Sequence, residues 1–593
     1  MKTNNKETRK KGLFWALALL VSVGIFYSCT NGLDGLNNNP NANGPSTVQP
    51  SFLITGTFNG GILDPGMHER MTQLTNDVFA QYYANEGFST QYGLTNDEWI
   101  TSFYTSYHYP FIGACNQAIR SGRASKVKYN ETQIARIWRV WLFSRATDLW
   151  GDLPYFKAGD GTGFNPPYDK QQLIYADFMK ELKEASDSLT TANPKQYPGQ
   201  DYVYNDDIPK WKKFANSLRL RLALRMSQAD PGLAQSNAAA AVAAGVFSGP
   251  DDAFLVPRGG GFGWGYNYQY TYYYGWGAET MSRSMENILT GLGGQAFPNP
   301  PPGFTAPITL TYDDPGTALL NSDENTLDPN ANRFKSGVPS KVDPRGPIYF
   351  NVSSDASGAS AGIKIVVDAS NSTTQTVDTR NRWHGVPAGL SNAASGRQQY
   401  STYNNARLGA KFSQDPSRSY EVMTYHEVCL LLAEAAQRGW ITGGAQTWYE
   451  TGIKASMDWH GVDPATRDAY VASTAQNTYG TTVSFTFNSA KTYLGKSVDD
   501  AMSKILTQKY ISLFPDGGWE AWADHRRLHL PILVPFSGGL DGRYATKDGS
   551  PANFTRRITY PAIEALNNKA FYDKAVGEQG ADSETTPVWW DKN

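Results

Sequence analysis

The sequence predicts a mainly α chain in which two blocks of paired helices are separated by a long loop-rich segment that packs across one face. Three observations carry this. Apolar residues recur at three- and four-residue steps through about residues 69–246, as in Met71, Leu74, Val78 and Tyr82, and again in Ile134, Ile137, Trp138, Trp141 and Leu142. From about Gly249 to Arg407 the composition turns to Gly, Pro, Ser, Asn and Tyr, the residues of turns and irregular backbone. Helical periodicity then resumes at Tyr420 and continues to about Asn568. Short connections between successive helices suggest pairs stacked as in a helical-repeat array, although no strict repeat period is readable.

Taken in order, the chain opens with Lys2, Lys6, Arg9, Lys10 and Lys11, followed by an uncharged run from Leu13 to Tyr27. That layout predicts a signal peptide over 1–28, and the small Ser28 directly before Cys29 predicts a lipoprotein cleavage site with Cys29 carrying the lipid. Residues 29–50 are rich in Asn, Gly and Pro and read as a tether that cannot bury enough apolar surface to fold alone. A single domain is expected over 51–593. Its further predicted helices are Tyr168 to Leu189, Pro209 to Ser227, Pro231 to Ala244, Tyr420 through Trp459, Val498 to Phe514, Trp519 to Leu528, and Pro561 to Leu566.

Composition narrows the function. Lys+Arg total 53 against 55 Asp+Glu, a formal net charge of −2, which leaves no basic footprint for a nucleic-acid backbone. Charged residues are 18%, below the roughly 25% of ordinary soluble domains, while aromatics reach 13%. A surface built from amides, hydroxyls and aromatic rings suits neutral, polar ligands. Cys115 and Cys429 make no disulfide framework, and Cys429 within Val428-Cys429-Leu430 reads as a small buried hydrophobe. With seven His and no Cys/His spacing of a zinc site, no cofactor is assigned. Asp313-Asp314 and the stretch from Asp323 to Asp328 could take calcium, but their spacing matches no EF-hand.

Two groups of residues could carry chemistry. Arg139, Arg145, Asp148 and Asp152 lie on or just after one helix, and Glu520, Asp524, Arg526 and Arg527 lie together late in the chain. Paired carboxylates would serve glycoside hydrolysis, whereas the same residues, with Glu427 and Glu434, serve equally as buried ion pairs between helices. The second group is the stretch from Arg258 to Gly277, in which Phe262, Trp264, Tyr266, Tyr268, Tyr270, Tyr272, Tyr273, Tyr274 and Trp276 stand among glycines. Aromatics at every second position from Phe262 to Tyr272 predict a strand presenting them on one face. Such a face would stack sugar rings, or it would be a structural lid or a contact for a partner barrel.

Several motifs stand in one order along the chain: Asn38-Asn39-Pro40-Asn41, Asp148-Leu149-Trp150-Gly151-Asp152-Leu153-Pro154-Tyr155, Asp343-Pro344-Arg345, Gly385-Val386-Pro387-Ala388-Gly389, Met423-Thr424-Tyr425-His426-Glu427-Val428, Leu432-Ala433-Glu434-Ala435, Trp522-Ala523-Asp524-His525-Arg526-Arg527, and Arg556-Arg557-Ile558-Thr559-Tyr560-Pro561. With them the sequence resembles the SusD/RagB family of outer-membrane lipoproteins over nearly the whole mature chain. The resemblance implies tetratricopeptide-like helix pairs, a face that binds a glycan or a peptide, no catalysis, attachment to the outer leaflet at the cell surface, and a SusC-like TonB-dependent transporter as partner. It also implies that the loops holding Phe88 and Tyr92, and those holding Arg382, Trp383, Arg397, Tyr400 and Tyr403, contribute to the ligand face, to which the stacking reading of the aromatic stretch would add Trp264, Tyr266, Tyr270 and Trp276. For Trp383 the residues leave a second reading open, in which the ring packs beneath the following loop. The insertion 353–379 has no assigned role.

Overall fold

The computed structural model describes residues 50–84, 97–159, 165–194, 199–259, 266–273, 280–299, 337–352, 383–385, 406–485, 496–534 and 554–592, with the short strands 309–311, 333–335, 363–366, 374–377 and 491–493. Helices dominate, and neighbours in sequence pack on one another. In the first block these are α1 (Pro50–Gly61), α2 (Tyr109–Ala124), α3 (Asn130–Trp150), α4 (Gln171–Ser188), α5 (Ile208–Arg225) and α6 (Pro231–Ala244). Helix α3 lies at the centre. All its residues but Gln133 are buried, among them Arg136, Arg139, Arg145 and Asp148, so its polar side chains must find partners inside the protein. Helix α1 comes close to it because a glycine stands at the crossing: a Cβ on Gly61 would sit 2.7 Å from Leu142 and 2.9 Å from the Trp138 ring.

The ends of these helices follow from sequence chemistry. Asp207 caps α5 by accepting from Lys210 N at 3.1 Å, and Asp230 caps α6 by accepting from Leu233 N at 3.0 Å, each with proline in the first turn. Helix α3 stops at Gly151, whose φ of +82° a residue with a Cβ rarely adopts. A chain segment from Pro65 to Phe79 is also helical, but Glu69–Asn76 within it is π-helical. Such wide turns seldom persist without tertiary support.

The loop-rich excursion is closed at its base. Strand β1 (Phe254–Val256) pairs antiparallel with β2 (Tyr420–Met423), Phe254 opposite Met423 and Val256 opposite Tyr420, so the chain returns to the place it left. A second short ladder joins Phe350–Asn351 to Arg407–Leu408. The second block follows: α9 (Tyr425–Gln437), α10 (Ala445–His460), α11 (Pro464–Val471), α12 (Asp500–Ser512), α13 (Gly518–Leu528) and α14 (Lys569–Gln579), with α7 (Tyr268–Tyr273) and α8 (Arg283–Leu289) inside the excursion.

The two blocks meet through buried charge. Arg221 on α5 donates to both oxygens of Glu427 on α9 at 2.7 and 2.6 Å. One turn on, Arg225 bonds Asp148 of α3 with one nitrogen and Glu520 of α13 with another. Asp148 also accepts from Tyr175 Oη at 2.5 Å and Trp590 Nε1 at 2.8 Å. Arg527 joins Glu434 to Asp524, and Lys509 lies 2.8 Å from Asp524. Burial alone would raise the Asp524 carboxyl, but Lys509, Arg527 and Arg225 outweigh it and hold this group well below the ordinary carboxylate range. Arg526 lies over the Trp522 ring at 3.5 Å and donates to Asp148 O. The motif carboxylates are therefore engaged in ion pairs and hydrogen bonds between helices.

Arg225→Met removes the guanidinium that Asp148 and Glu520 share, and urea unfolding is expected to show a loss of about 3–5 kcal/mol. Lys183→Ala, which breaks a solvent-exposed pair with Asp187, is expected to cost less than about 0.5 kcal/mol.

Candidate functional site

The aromatic stretch is partly described, and there it is not a strand. Asn267 N donates to Pro416 O at 2.9 Å, and the Asn267 side-chain oxygen accepts from Gln269 N at 3.0 Å. This Asx-type turn starts the short helix α7. Helical geometry then separates residues that alternation would have put on one face. Tyr268 turns inward, 3% exposed, its ring stacked on His68 with centroids 3.7 Å apart, where the π-helical stretch begins. Tyr266 and Tyr270, four residues apart, turn outward at 53% and 36% exposure. Their rings stand 5.7 Å apart at 71°, forming a corner of two aromatic walls.

A buried polar base holds this helix. Gln269 is fully buried; its Oε1 accepts from Arg418 Nη2 at 2.7 Å, and its Nε2 donates to Tyr268 Oη at 2.9 Å. The same Arg418 nitrogen bonds Asp516 Oδ1 at 2.6 Å, and Asp516 Oδ2 accepts from Glu421 N at 3.0 Å. Upstream, Arg258 is buried with Nη2 on the carbonyls of Ile62 and Leu63, and burial lowers its guanidinium to about 10. The outward tyrosines thus stand on a fixed turn rather than a free loop.

Glu421 is the most perturbed carboxyl of the base. Burial raises it to about 7, Asp516 adds to the rise, and Arg418 and the Trp459 Nε1 bond at 3.1 Å work against it. Asp516 already holds Arg418, which leaves Glu421 at 3.5 Å from that guanidinium.

Trp383 is not at an open face. It is fully buried, its Nε1 donates to Phe350 O at 2.9 Å, and its ring meets Phe297 edge-on at 5.7 Å. The expectation of a ligand contact is corrected here: the ring fills core space beside Phe297 and Phe350. The next residues are locked as well, Gly385 N donating to Glu286 Oε2 at 2.9 Å. Phe88, Tyr92, Trp264, Trp276, Arg382, Arg397, Tyr400, Tyr403 and Cys29 lie outside the described residues, as do Asp313-Asp314, the stretch from Asp323 to Asp328, and most of the insertion 353–379. Sequence reasoning missed Gln269, Arg418 and Asp516 as supports, because they meet from distant places in the chain and no local pattern marks them.

A family model described as SusD-like, starch-binding and associating with the outer membrane matches residues 42–293. A second, described as the SusD and RagB outer-membrane lipoprotein family, matches residues 343–591. This chain belongs to the SusD/RagB family. No curated protein matches it. Among solved structures, a SusD homologue from Parabacteroides distasonis shares 29% identity with a TM-score of 0.75, covering 92% of this chain and 98% of its own. A chitin-binding SusD homologue from Flavobacterium johnsoniae shares 25% with a TM-score of 0.66, covering 91% and 99%. A SusD homologue from Bacteroides vulgatus, at 22% and a TM-score of 0.65 over 92% and 98%, has the same fold. The mainly α SusD-like architecture is thus established for this member of the family. Among the described residues no helix is long and apolar enough to cross a membrane, and no group of three or more His, Cys, Asp or Glu could hold a metal ion.

Since folding raises the Glu421 carboxyl from its ordinary 4.5 to about 7, the folded chain holds a proton that the unfolded chain releases. The stability this contributes is complete below pH 4.5 and is lost as the pH rises through 7. Glu421→Gln is therefore expected to gain stability relative to the parent over that window and to hold a constant advantage above it, read from denaturation midpoints against pH. An offset that does not change with pH contradicts this.

Proposed function

We propose that this protein is a non-enzymatic cell-surface receptor that captures neutral oligosaccharides and delivers them to a SusC-like TonB-dependent transporter, held at the outer membrane by a lipid on Cys29. The observation that carries the reading is the exposed Tyr266/Tyr270 corner on an otherwise rigid turn. Two aromatic planes meeting near a right angle suit a sugar ring, whose C–H face packs on one while its hydroxyls meet the phenol of the other. Phe88, Tyr92, Trp264, Trp276, Arg382, Arg397, Tyr400 and Tyr403 are proposed to complete this face. The family description of starch binding and the chitin-binding homologue support a glycan rather than a peptide.

The receptor reading is also supported by how the acidic residues are used. Acid–base hydrolysis needs two carboxylates flanking a sugar in an open groove. Asp148, Asp152, Glu520 and Asp524 are instead bonded to arginine, lysine, backbone or aromatic donors inside the protein.

Calorimetry with maltoheptaose and chitohexaose tests this. Tyr266→Ala and Tyr270→Ala are each expected to weaken binding by about 1–2 kcal/mol while leaving the unfolding transition in place. Tyr268→Ala, which empties a buried stack, is expected to cost stability instead. Affinity should change little with ionic strength; a ligand held by ionic contacts would bind more weakly as salt rises. Unchanged affinity in both outward tyrosine variants would remove this corner from the site.

A further inference from the structure

The base beneath the tyrosine corner contains one guanidinium with more acceptors than it can serve well. Arg418 Nη2 bonds Asp516 Oδ1 at 2.6 Å and Gln269 Oε1 at 2.7 Å, while Nη1 stands 3.5 Å from Glu421 Oε1, at the limit of a hydrogen bond. Glu421 belongs to β2 and lines a small cavity of about 30 Å³, whose other walls come from α3, α5, α9 and α13. A cavity of that size admits water. The Glu421 side chain keeps 13% of its surface exposed, so water there can exchange a proton with the carboxyl.

The other charged groups around Glu421 are engaged elsewhere. Glu427 and Glu520 are paired with Arg221 and Arg225, and Arg145 donates to Gly61 O at 3.0 Å with its guanidinium over the Trp519 ring. Lys411, which acts on Glu421 from the short helix Ala410–Ser413, donates to Trp459 O at 3.2 Å. Burial holds His426 and His460 below the ordinary imidazole range and raises the Tyr349 and Tyr420 phenols, which donate to the carbonyls of Ile511 and Asp516. Glu421 is the group left to change charge near neutral pH. Burial raises it and Asp516 adds to the rise, and together they outweigh Arg418, Trp459 and Lys411.

We propose that Glu421 is a proton-controlled latch on the turn that carries Tyr266 and Tyr270. Neutral, it leaves Arg418 to Asp516 and Gln269, and the turn is held. Ionised, it competes for the same guanidinium as a charged acceptor, which binds an N–H more strongly than an amide oxygen does. Closing the 3.5 Å gap draws Arg418 off Gln269, the neutral one of its partners. The turn loses a buried anchor and opens more often. By linkage, a ligand that needs the turn in place takes up protons when it binds above neutral pH. That the turn serves a sugar rests on the receptor reading above; the latch itself does not.

Hydrogen exchange of the ligand-free protein tests the latch, read by mass spectrometry on the 266–273 peptide over a pH series and corrected for the intrinsic pH dependence of exchange. Protection of that peptide is expected to fall about fivefold as the pH rises through 7, with that of α4 unchanged, and Glu421→Gln is expected to keep the low-pH value throughout. Should Glu421→Gln not fold, Trp459→Phe takes its place. It removes the indole bond that favours the ionised carboxyl, so the midpoint of the change is expected to move to higher pH. A parent protein without the change, a change that persists in Glu421→Gln, or a midpoint that Trp459→Phe leaves in place overturns the latch. Calorimetry with maltoheptaose and chitohexaose then separates the two readings. The sugar that binds is expected to bind about fivefold more weakly on the alkaline side of the transition than on the acid side. Affinity that ignores a pH-dependent turn would sink the tyrosine corner as the ligand face, not the latch.

Discussion

Arg225 is the interaction on which the rest depends. It lies at the end of α5 with Asp148 of the first helical block on one nitrogen and Glu520 of the second on another, Arg225 and Asp148 buried and Glu520 half-buried. Removing charge from water costs several kcal/mol per ion, and only dense pairing recovers it. The neighbouring pair of Arg221 with Glu427 repeats the arrangement between the blocks, and Arg527 with Glu434 locks two helices within the second. Segments separated by hundreds of residues are thereby held in one register, which apolar packing alone would specify less sharply.

That seam makes a loop-rich excursion tolerable. Strands β1 and β2 close it at the base, beside the strand residue Tyr420 and the charged residues Glu421 and Asp516. The same residues reach through Arg418 to Gln269 and set the turn that carries Tyr266 and Tyr270 outward. Rigidity beneath an aromatic corner matters for a weakly interacting, hydroxyl-rich ligand, since ordering a mobile loop would consume much of the binding energy. Chain connectivity, buried charge and the ligand face are in this way one continuous argument.

How much of this is legible in the sequence differs by element. Helices such as α3 and α9 announce themselves because their apolar residues recur at a helical period that is set locally. The roles of Asp148, Glu427 and Glu434 as helix-to-helix bonds are also readable, since a carboxylate amid apolar residues has few other uses. The aromatic stretch misleads because tyrosines at every second position imitate a strand, while Asn267 and the buried Gln269 impose a helix. That choice is made by tertiary bonds to Pro416, Arg418 and Asp516, which alternation cannot reveal. Trp383 beside Arg382 looks like a binding pair for the same reason. Its true neighbours, Phe297 and Phe350, are remote in sequence. The helical scaffold and the family were thus open to reading, whereas the orientation of single rings was not.

The most direct measurement is a crystal structure of the protein bound to the oligosaccharide that a glycan array selects. The account predicts an intact, uncleaved glycan with a sugar ring packed against Tyr266 or Tyr270, over a turn whose Gln269–Arg418–Asp516 bonds are unchanged. A glycan found cleaved, or seated away from both tyrosines, would contradict it.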